Sequence, residues 1–285
     1  DLKALGHEID CFAVEGKGFG GYLKNLDELK RKIKTYRPDV IHAHYGLSGL
    51  LANLQRQVPV VVTYHGSDIN DPQLRWLSKM SMHLSAWDVF VSKKMLEVAK
   101  PNRKYSMIPC GIDLTDLQLT PKVEARQRMH LDKNKKYVLF AGAFDNAVKN
   151  AVLAFKAVEL LDNSSVELVE LNGFTRDEVT LMMCAVDALL MTSHSEGSPQ
   201  VIKEAMACGC PIVSVDVGDV KDRIKDVEGC FMAETRDSQE LADLLQKALD
   251  YGGRTYGRER IIADNLDNRM VAKRLLEIYK GICLK

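Results

Sequence analysis

A chain of 285 residues is longer than a single core usually grows, so two domains of roughly 100 to 150 residues are expected. Its 39 basic and 39 acidic side chains cancel to zero formal charge, which removes any global electrostatic case for nucleic acid and confines an anion site to a local cluster. The seven cysteines form no C-x-x-C pair and no Cys/His spacing of a zinc site. They lie in apolar runs and read as small core residues of a protein in the reducing cytoplasm. No apolar run approaches the roughly 18 residues that span a bilayer, and no basic region followed by an apolar stretch opens the chain, so a soluble protein is expected.

In chain order, "DLKALGHE" reads as the end of a helix leading into a strand, so a strand and most of a helix are expected upstream of residue 1. Strands are expected at "IDCFAV" (9–14), "DVIHAH" (39–44), "PVVVTY" (59–64), "DVFVS" (88–92) and "YSMIP" (105–109). Helical patterns separate them. In "LKNLDELKRKIKTY", Leu23, Leu26, Leu29 and Ile33 mark one apolar face. The lysine-rich helix over 24–37 presents a solvated basic face that also suits peripheral contact with an anionic membrane. A polar segment, "TPKVEARQRMHLDKNKK" (120–136), reads as linker plus one short helix. The alternation then restarts with "YVLFA" (137–141), "VELVEL" (166–171), "ALLMTS" (188–193), "CPIVSV" (210–215) and "GCFMA" (229–233). Strand and helix alternating twice over predict two α/β domains with parallel sheets. The expected division is 1–118, 119–268 and a last helix, 269–285, crossing back to the first domain. "TRDE" at 175–178 and "DSQE" at 237–240 fit the capping-box pattern ahead of apolar periodic runs.

The stretch "HSEGSPQVIKEAMACGCP" carries the chemistry. Ser198 suits an N-cap, Pro199 the first helical position, and Gly209 followed by Cys210-Pro211 a helix stop, so a helix is expected from 199 to 208. Its unpaired N–H groups, with Gly197 before them, make an anion socket at the carboxyl edge of a sheet. Val201, Ala205 and Cys208 share the buried stripe, and Glu204 falls on its border. Glu196 precedes the helix. From position alone, Glu204 reads equally as a solvated helix residue and Glu196 as a favourable charge near a helix start.

"SEGSPQVIKEAMACGCPIVSVDVGDV" resembles the E-x7-E segment of retaining glycosyltransferases of the GT-B fold, the GT4 family that uses nucleotide sugars. "YHGSD" (64–68), "IPCGID" (108–113), "LFAGAFDNAVKN" (139–150) and "MVAKRLLEIYKGI" also sit where that family's landmarks fall. The resemblance implies two Rossmann-like doubly wound domains facing across an active-site cleft, and transfer of a UDP- or GDP-linked sugar to a glycan or lipid-linked acceptor, with no metal and no cofactor. Glu196 would contact the donor sugar near its reacting carbon and Glu204 would hold the ribose hydroxyls. Gly197 and Ser198 would cradle sugar and phosphate, with Pro199, Gln200 and Gly142 completing the donor set. Lys149 would neutralise the diphosphate. His65 would bond the donor sugar, with Asp68 and His44 on the acceptor side. Where the family has an arginine a few residues before the lysine, this chain reads "AFDNAV", and one β-α unit is missing between "VELVEL" and "ALLMTS". A nucleotide-sugar epimerase or hydrolase, or a non-catalytic nucleotide-binding module, are the rival readings. "GKGFGG" (16–21) also matches G-x-G-x-x-G, which raises a dinucleotide-binding dehydrogenase. The next strand ends on His42 and His44, however, with no ribose-gripping acid.

Overall fold

A computed structural model describes residues 1–284. The chain separates into two compact units, one formed by Asp1–Gly111 with the chain from Asn268 onward, the other by Ile112–Asp267. In the first unit β1 (Ile41–His44), β2 (Val60–Tyr64), β3 (Trp87–Phe90) and β4 (Tyr105–Met107) form a parallel sheet in that order. Every residue of β2 is buried, as a strand covered on both faces must be. The last helix, Asn268–Cys283, lays Ile278, Leu275 and Val271 against Val61, Val89 and Ile108 of this sheet. The Tyr279 hydroxyl reaches His42 Nδ1.

The second unit holds β5 (Lys136–Phe140), β6 (Val166–Glu170), β7 (Ala188–Met191), β8 (Ile212–Val215) and β9 (Cys230–Ala233), again all parallel. Their spatial order is β6-β5-β7-β8-β9. Connections run one way from β5 to β6 and the other way from β7 onward. The point where that direction reverses, between β5 and β7, is where open α/β sheets bind ligands at their carboxyl edge.

Four expectations are corrected. Residues 9–14 form no strand: Phe12 and Val14 pack on Leu29 and Ile33, so their alternation buries two side chains without entering a ladder. The helix read through Leu23 is two helices, Gly18–Leu23 and Leu26–Tyr36. They are separated at the buried Asn25, whose Nδ2 donates to the carbonyls of Glu15 (2.8 Å) and Gly21 (3.1 Å), and Leu23 is exposed. "GKGFGG" therefore follows no strand and lacks the setting of a dinucleotide fingerprint. Cys11 and Cys283 are exposed, whereas Cys184, Cys208 and Cys210 are buried.

The capping box at Thr175 is complete: its hydroxyl accepts from Glu178 N–H (3.4 Å) and the Glu178 carboxylate accepts from Thr175 N–H (2.8 Å). At Asp237 only half forms, because Glu240 turns instead to the N–H groups of Glu234 and Thr235. Thr175→Ala is expected to lower stability by about 1 kcal/mol, whereas Thr175→Ser, which keeps the capping hydroxyl, stays near the parent value. Urea unfolding followed by far-UV circular dichroism measures both, and equal losses in the two variants would remove the cap from the account.

Candidate active site

The loops after β5 and β7 are stitched together at the reversal point. The Thr192 hydroxyl lies 2.9 Å from the carbonyl oxygens of both Lys149 and Asn150, and His194 N–H donates to the Val148 carbonyl at 2.8 Å. On the other side Arg236 donates to the carbonyls of Thr192 (3.2 Å), Ser193 (2.9 Å) and His194 (3.2 Å). Lys149 ends a 3-10 turn, Ala147–Lys149, rather than opening the helix that starts at Ala151. Its stem runs over Gly142, where an added Cβ would stand 2.8 Å from Lys149 Cγ; only a glycine leaves that path open. The path leads Nζ to Glu196 Oε1 at 2.8 Å, an ion pair with side chains 22% and 16% exposed. Two residues 47 apart in sequence thus meet at the carboxyl edge.

Past Glu196 the helix runs Gln200–Ala207 and its N-cap is Pro199, not Ser198. Ser198 turns inward instead, its hydroxyl donating to Asp219 Oδ2 (2.8 Å) and accepting from the fully buried Lys203 (2.7 Å). Gly197, Ser198 and Pro199 are buried, and Gln200 is exposed at the helix start. Ile202, Ala205 and Met206 form the fully buried face, and Val201 only borders it. Glu204 is half-buried, and burial raises its carboxyl pKa against the opposing charges of Arg176 and Lys203.

In the first unit His44 ends β1 and His65 follows β2. Their rings stack at 5.1 Å with His44 Nδ1 2.9 Å from His65 Nε2, and His42 stacks under His44 at 4.6 Å. Burial drives the His65 pKa down to about 4 and that of His42 to about 3, with the neighbouring histidines adding to both, so the cluster is neutral near pH 7. Asp68 does not stand free beside them. It is 4% exposed and its carboxylate accepts from the N–H groups of Gly46 (3.0 Å), Gly66 (2.9 Å) and His65 (3.1 Å). That carboxylate holds the two loops in place. Tyr45, which the sequence gave no reason to single out, is 49% exposed, tilts over His65 at 4.8 Å, and has φ 70°. A non-glycine residue held there is strained, and such strain concentrates at working sites.

The family model described as Glycosyltransferase Family 4 matches residues 2–116, and that described as Glycosyl transferases group 1 matches 156–251. Together they span well over half of the chain. The chain belongs to the family 4, or group 1, glycosyltransferases.

Among curated members of this family-4 group, the chain is 27% identical to the teichuronic acid biosynthesis protein named as the glycosyltransferase TuaC of Bacillus subtilis, over 76% of this chain and 62% of TuaC. It is 24% identical to N-acetyl-alpha-D-glucosaminyl L-malate synthase of Bacillus anthracis, over 72% and 64%. It is 26% identical to D-inositol 3-phosphate glycosyltransferase of Xylanimonas cellulosilytica, over 76% and 64%. The chain thus spans 62 to 64% of the length of these relatives. Among solved structures, sucrose-phosphate synthase from Thermosynechococcus elongatus superposes with a TM-score of 0.76 at 21% identity, covering 93% of this chain and 78% of that one. Anabaena Alr3699/HepE in complex with UDP gives 0.73 at 17%, covering 90% and 82%. These likenesses show the GT-B fold expected for family 4.

Proposed function

We propose that this family-4 chain is a retaining, metal-independent glycosyltransferase that moves a sugar from a UDP- or GDP-linked donor to a glycan or lipid-linked acceptor. The observation that carries the reading is the Lys149–Glu196 pair at the sheet's reversal point, directly ahead of a helix N-terminus. In the transfer the bond from the sugar's anomeric carbon to the diphosphate breaks, a bond from that carbon to the acceptor oxygen forms, and the acceptor's proton leaves with the nucleoside diphosphate. Positive charge grows on the sugar and negative charge on the leaving group, so a fixed carboxylate and a fixed cation each stabilise one partner. Glu204 accepts from the two ribose hydroxyls. On the first unit, His65 is neutral near pH 7 and can offer a sugar hydroxyl a hydrogen bond without adding a positive charge. HepE, a protein of the same fold, was solved in complex with UDP, which supports a nucleotide as a ligand. No described helix is long and apolar enough to cross a membrane. Exposed Lys24, Arg31 and Lys34, with exposed Asp27 and Glu28 among them, make a mixed but lysine- and arginine-bearing surface that suits contact with an anionic membrane, in keeping with a lipid-linked acceptor.

A thermal-shift panel of UDP, GDP, ADP and NAD tests the donor class, because a ligand bound only by the folded state stabilises it by RT ln(1 + [L]/Kd). At a hundred times Kd the gain is about 2.7 kcal/mol, a shift of several degrees. UDP or GDP is expected to give it; a shift by NAD alone overturns the reading. Sugar transfer is expected to persist in EDTA, and loss restored by Mn2+ or Mg2+ refutes metal independence. Nucleotide binding without turnover of any sugar donor marks the non-catalytic module instead.

A further inference from the structure

We infer that Lys203, acting through Ser198 together with Asp219, is a positioning residue for the donor loop; the inference rests on the nucleotide-sugar reading above. Lys203 lies on the inner face of the Gln200–Ala207 helix and is 0% exposed, beside Ile202, Ala205, Met206 and Ala207, which are also fully buried. That face asks for an apolar residue. A buried ammonium is costly unless it is paired and hydrogen-bonded, and an ion pair in such a place adds little stability over a well-packed apolar replacement. The reason for the charge is therefore to be sought in what it touches.

Lys203 Nζ lies 3.2 Å from the Ser198 carbonyl oxygen and 2.7 Å from its hydroxyl, and that hydroxyl donates to Asp219 Oδ2 at 2.8 Å. One lysine and one carboxylate thus fix the hydroxyl and the carbonyl of the residue that joins Glu196 to the helix start. The loop is gripped from a second side. Gly218 has φ +55°, and a Cβ there would stand 2.5 Å from the Gly197 carbonyl oxygen, so the 216–219 turn seats against that carbonyl only because residue 218 is glycine. Among the described residues no peptide bond is cis, so the Ser198 N–H points opposite to the Gly197 carbonyl. With the Ser198 carbonyl bonded to Lys203 and the Gly197 carbonyl packed against the Gly218 turn, the loop is restrained from two sides, and Glu196 is held close to the first helical N–H groups. The Lys203 charge also stands behind the loop, where it adds to the attraction of a phosphate in a poorly screened setting. Arg223 completes the network at Asp219, 3.5 Å from Oδ2, and has a separate partner in Asp264 at 2.7 Å.

The separate partner makes the test practicable. Lys203→Met alone strands the buried Asp219 carboxylate, whereas Lys203→Met with Asp219→Asn removes both charges and leaves Arg223 paired. The double variant is expected to melt within about 5 °C of the parent. It should bind UDP or GDP at least about tenfold more weakly and turn over a nucleotide sugar about a hundredfold more slowly, the scale of loss for a small displacement of positioned groups. Ser198→Ala, which keeps both charges and the Lys203 bond to the residue 198 carbonyl and removes only the hydroxyl that joins the loop to Asp219, should keep its melting temperature and lose about tenfold in nucleotide affinity. Calorimetric titration of UDP and of GDP into each protein, with melting curves beside it, reads the result. Parent-like binding and turnover in a normally folded double variant overturns the role of Lys203. Should the double variant not fold, parent-like binding by Ser198→Ala does the same. A parent protein that binds neither nucleotide overturns the donor-site reading itself, and this inference with it.

Discussion

Glu196→Gln is expected to lower kcat by roughly a hundred- to a thousandfold while free UDP or GDP binds within about threefold of normal, the pattern for a group whose partner charge exists mainly in the transition state. The geometry sharpens this contrast. Lys149 Nζ is held by Glu196 Oε1 at 2.8 Å, so in the resting protein the two charges neutralise each other, and a neutral amide releases the cation toward a phosphate rather than removing it. Nucleotide affinity therefore has no reason to fall. Glu204→Gln should behave oppositely. Its carboxyl is half-buried, and burial raises its pKa, so it gains most when ribose hydroxyls arrive as donors. Losing one charge-assisted hydrogen bond costs roughly 1.5 to 3 kcal/mol, about tenfold or more in affinity. That bond is present in ground state and transition state alike, so the donor KM rises more than kcat falls. Nucleotide titration and steady-state turnover of both variants decide the matter. Equal loss of nucleotide affinity in the two, or normal turnover in Glu196→Gln, shows the assignment of roles to be mistaken.

Sequence reading reached the parallel sheets and the Thr175 capping box for one physical reason: both are written locally. Buried parallel strands are short apolar runs, and "VVVTY" or "ALLM" can be little else. The box at Thr175 spans four residues, so its two hydrogen bonds follow from the spacing. Ser198 was misread because local capping preference met a tertiary competitor. A serine before proline at a helix start suits an N-cap until a buried lysine five residues on and an aspartate 21 residues on claim its hydroxyl. Asp68 shows the same limit: its strongest partner from β1's side, Gly46 N–H, lies 22 residues away. The Lys149–Glu196 pair could be placed at one edge from topology alone, but its closure depends on Gly142 clearing a path for the lysine stem. The sequence shows that glycine without showing what crosses it. Tyr45 carries no signal at all, since its strain arises from the loop that Asp68 holds.

The largest effect expected on stability lies in the histidine cluster of the first unit. His42 is enclosed by Tyr279 of the last helix on Nδ1 and by the Thr63 hydroxyl at 2.7 Å on Nε2, with His44 stacked on its face. Burial, then the charges of His44 and His65, bring its pKa from 6.5 to about 3, and His65 falls to about 4. Below pH 6.5 the unfolded chain takes up protons at these rings while the folded protein does not, so the unfolded state binds more protons and stability falls with pH. The contribution is fully present above pH 6.5 and is lost as pH drops toward 4 and then 3. One pKa unit is about 1.36 kcal/mol, so His42 alone withdraws on the order of 3 kcal/mol by pH 4, a large part of a typical margin of about 5 to 15. Both tryptophans of the chain, Trp76 and Trp87, belong to the first unit, so their fluorescence during urea unfolding follows that unit and not the other. His42→Asn should cost about 1 kcal/mol at pH 7, where a neutral ring loses its two partners. It should narrow the difference between pH 7 and pH 4 by on the order of 3 kcal/mol, because a side chain that cannot take up a proton has none to withhold. Carboxylates elsewhere contribute equally to the acid loss in both proteins and cancel in that comparison. An unchanged difference in His42→Asn would mean that the ring is protonated in the folded protein well above pH 4, and that the last helix tolerates the charge.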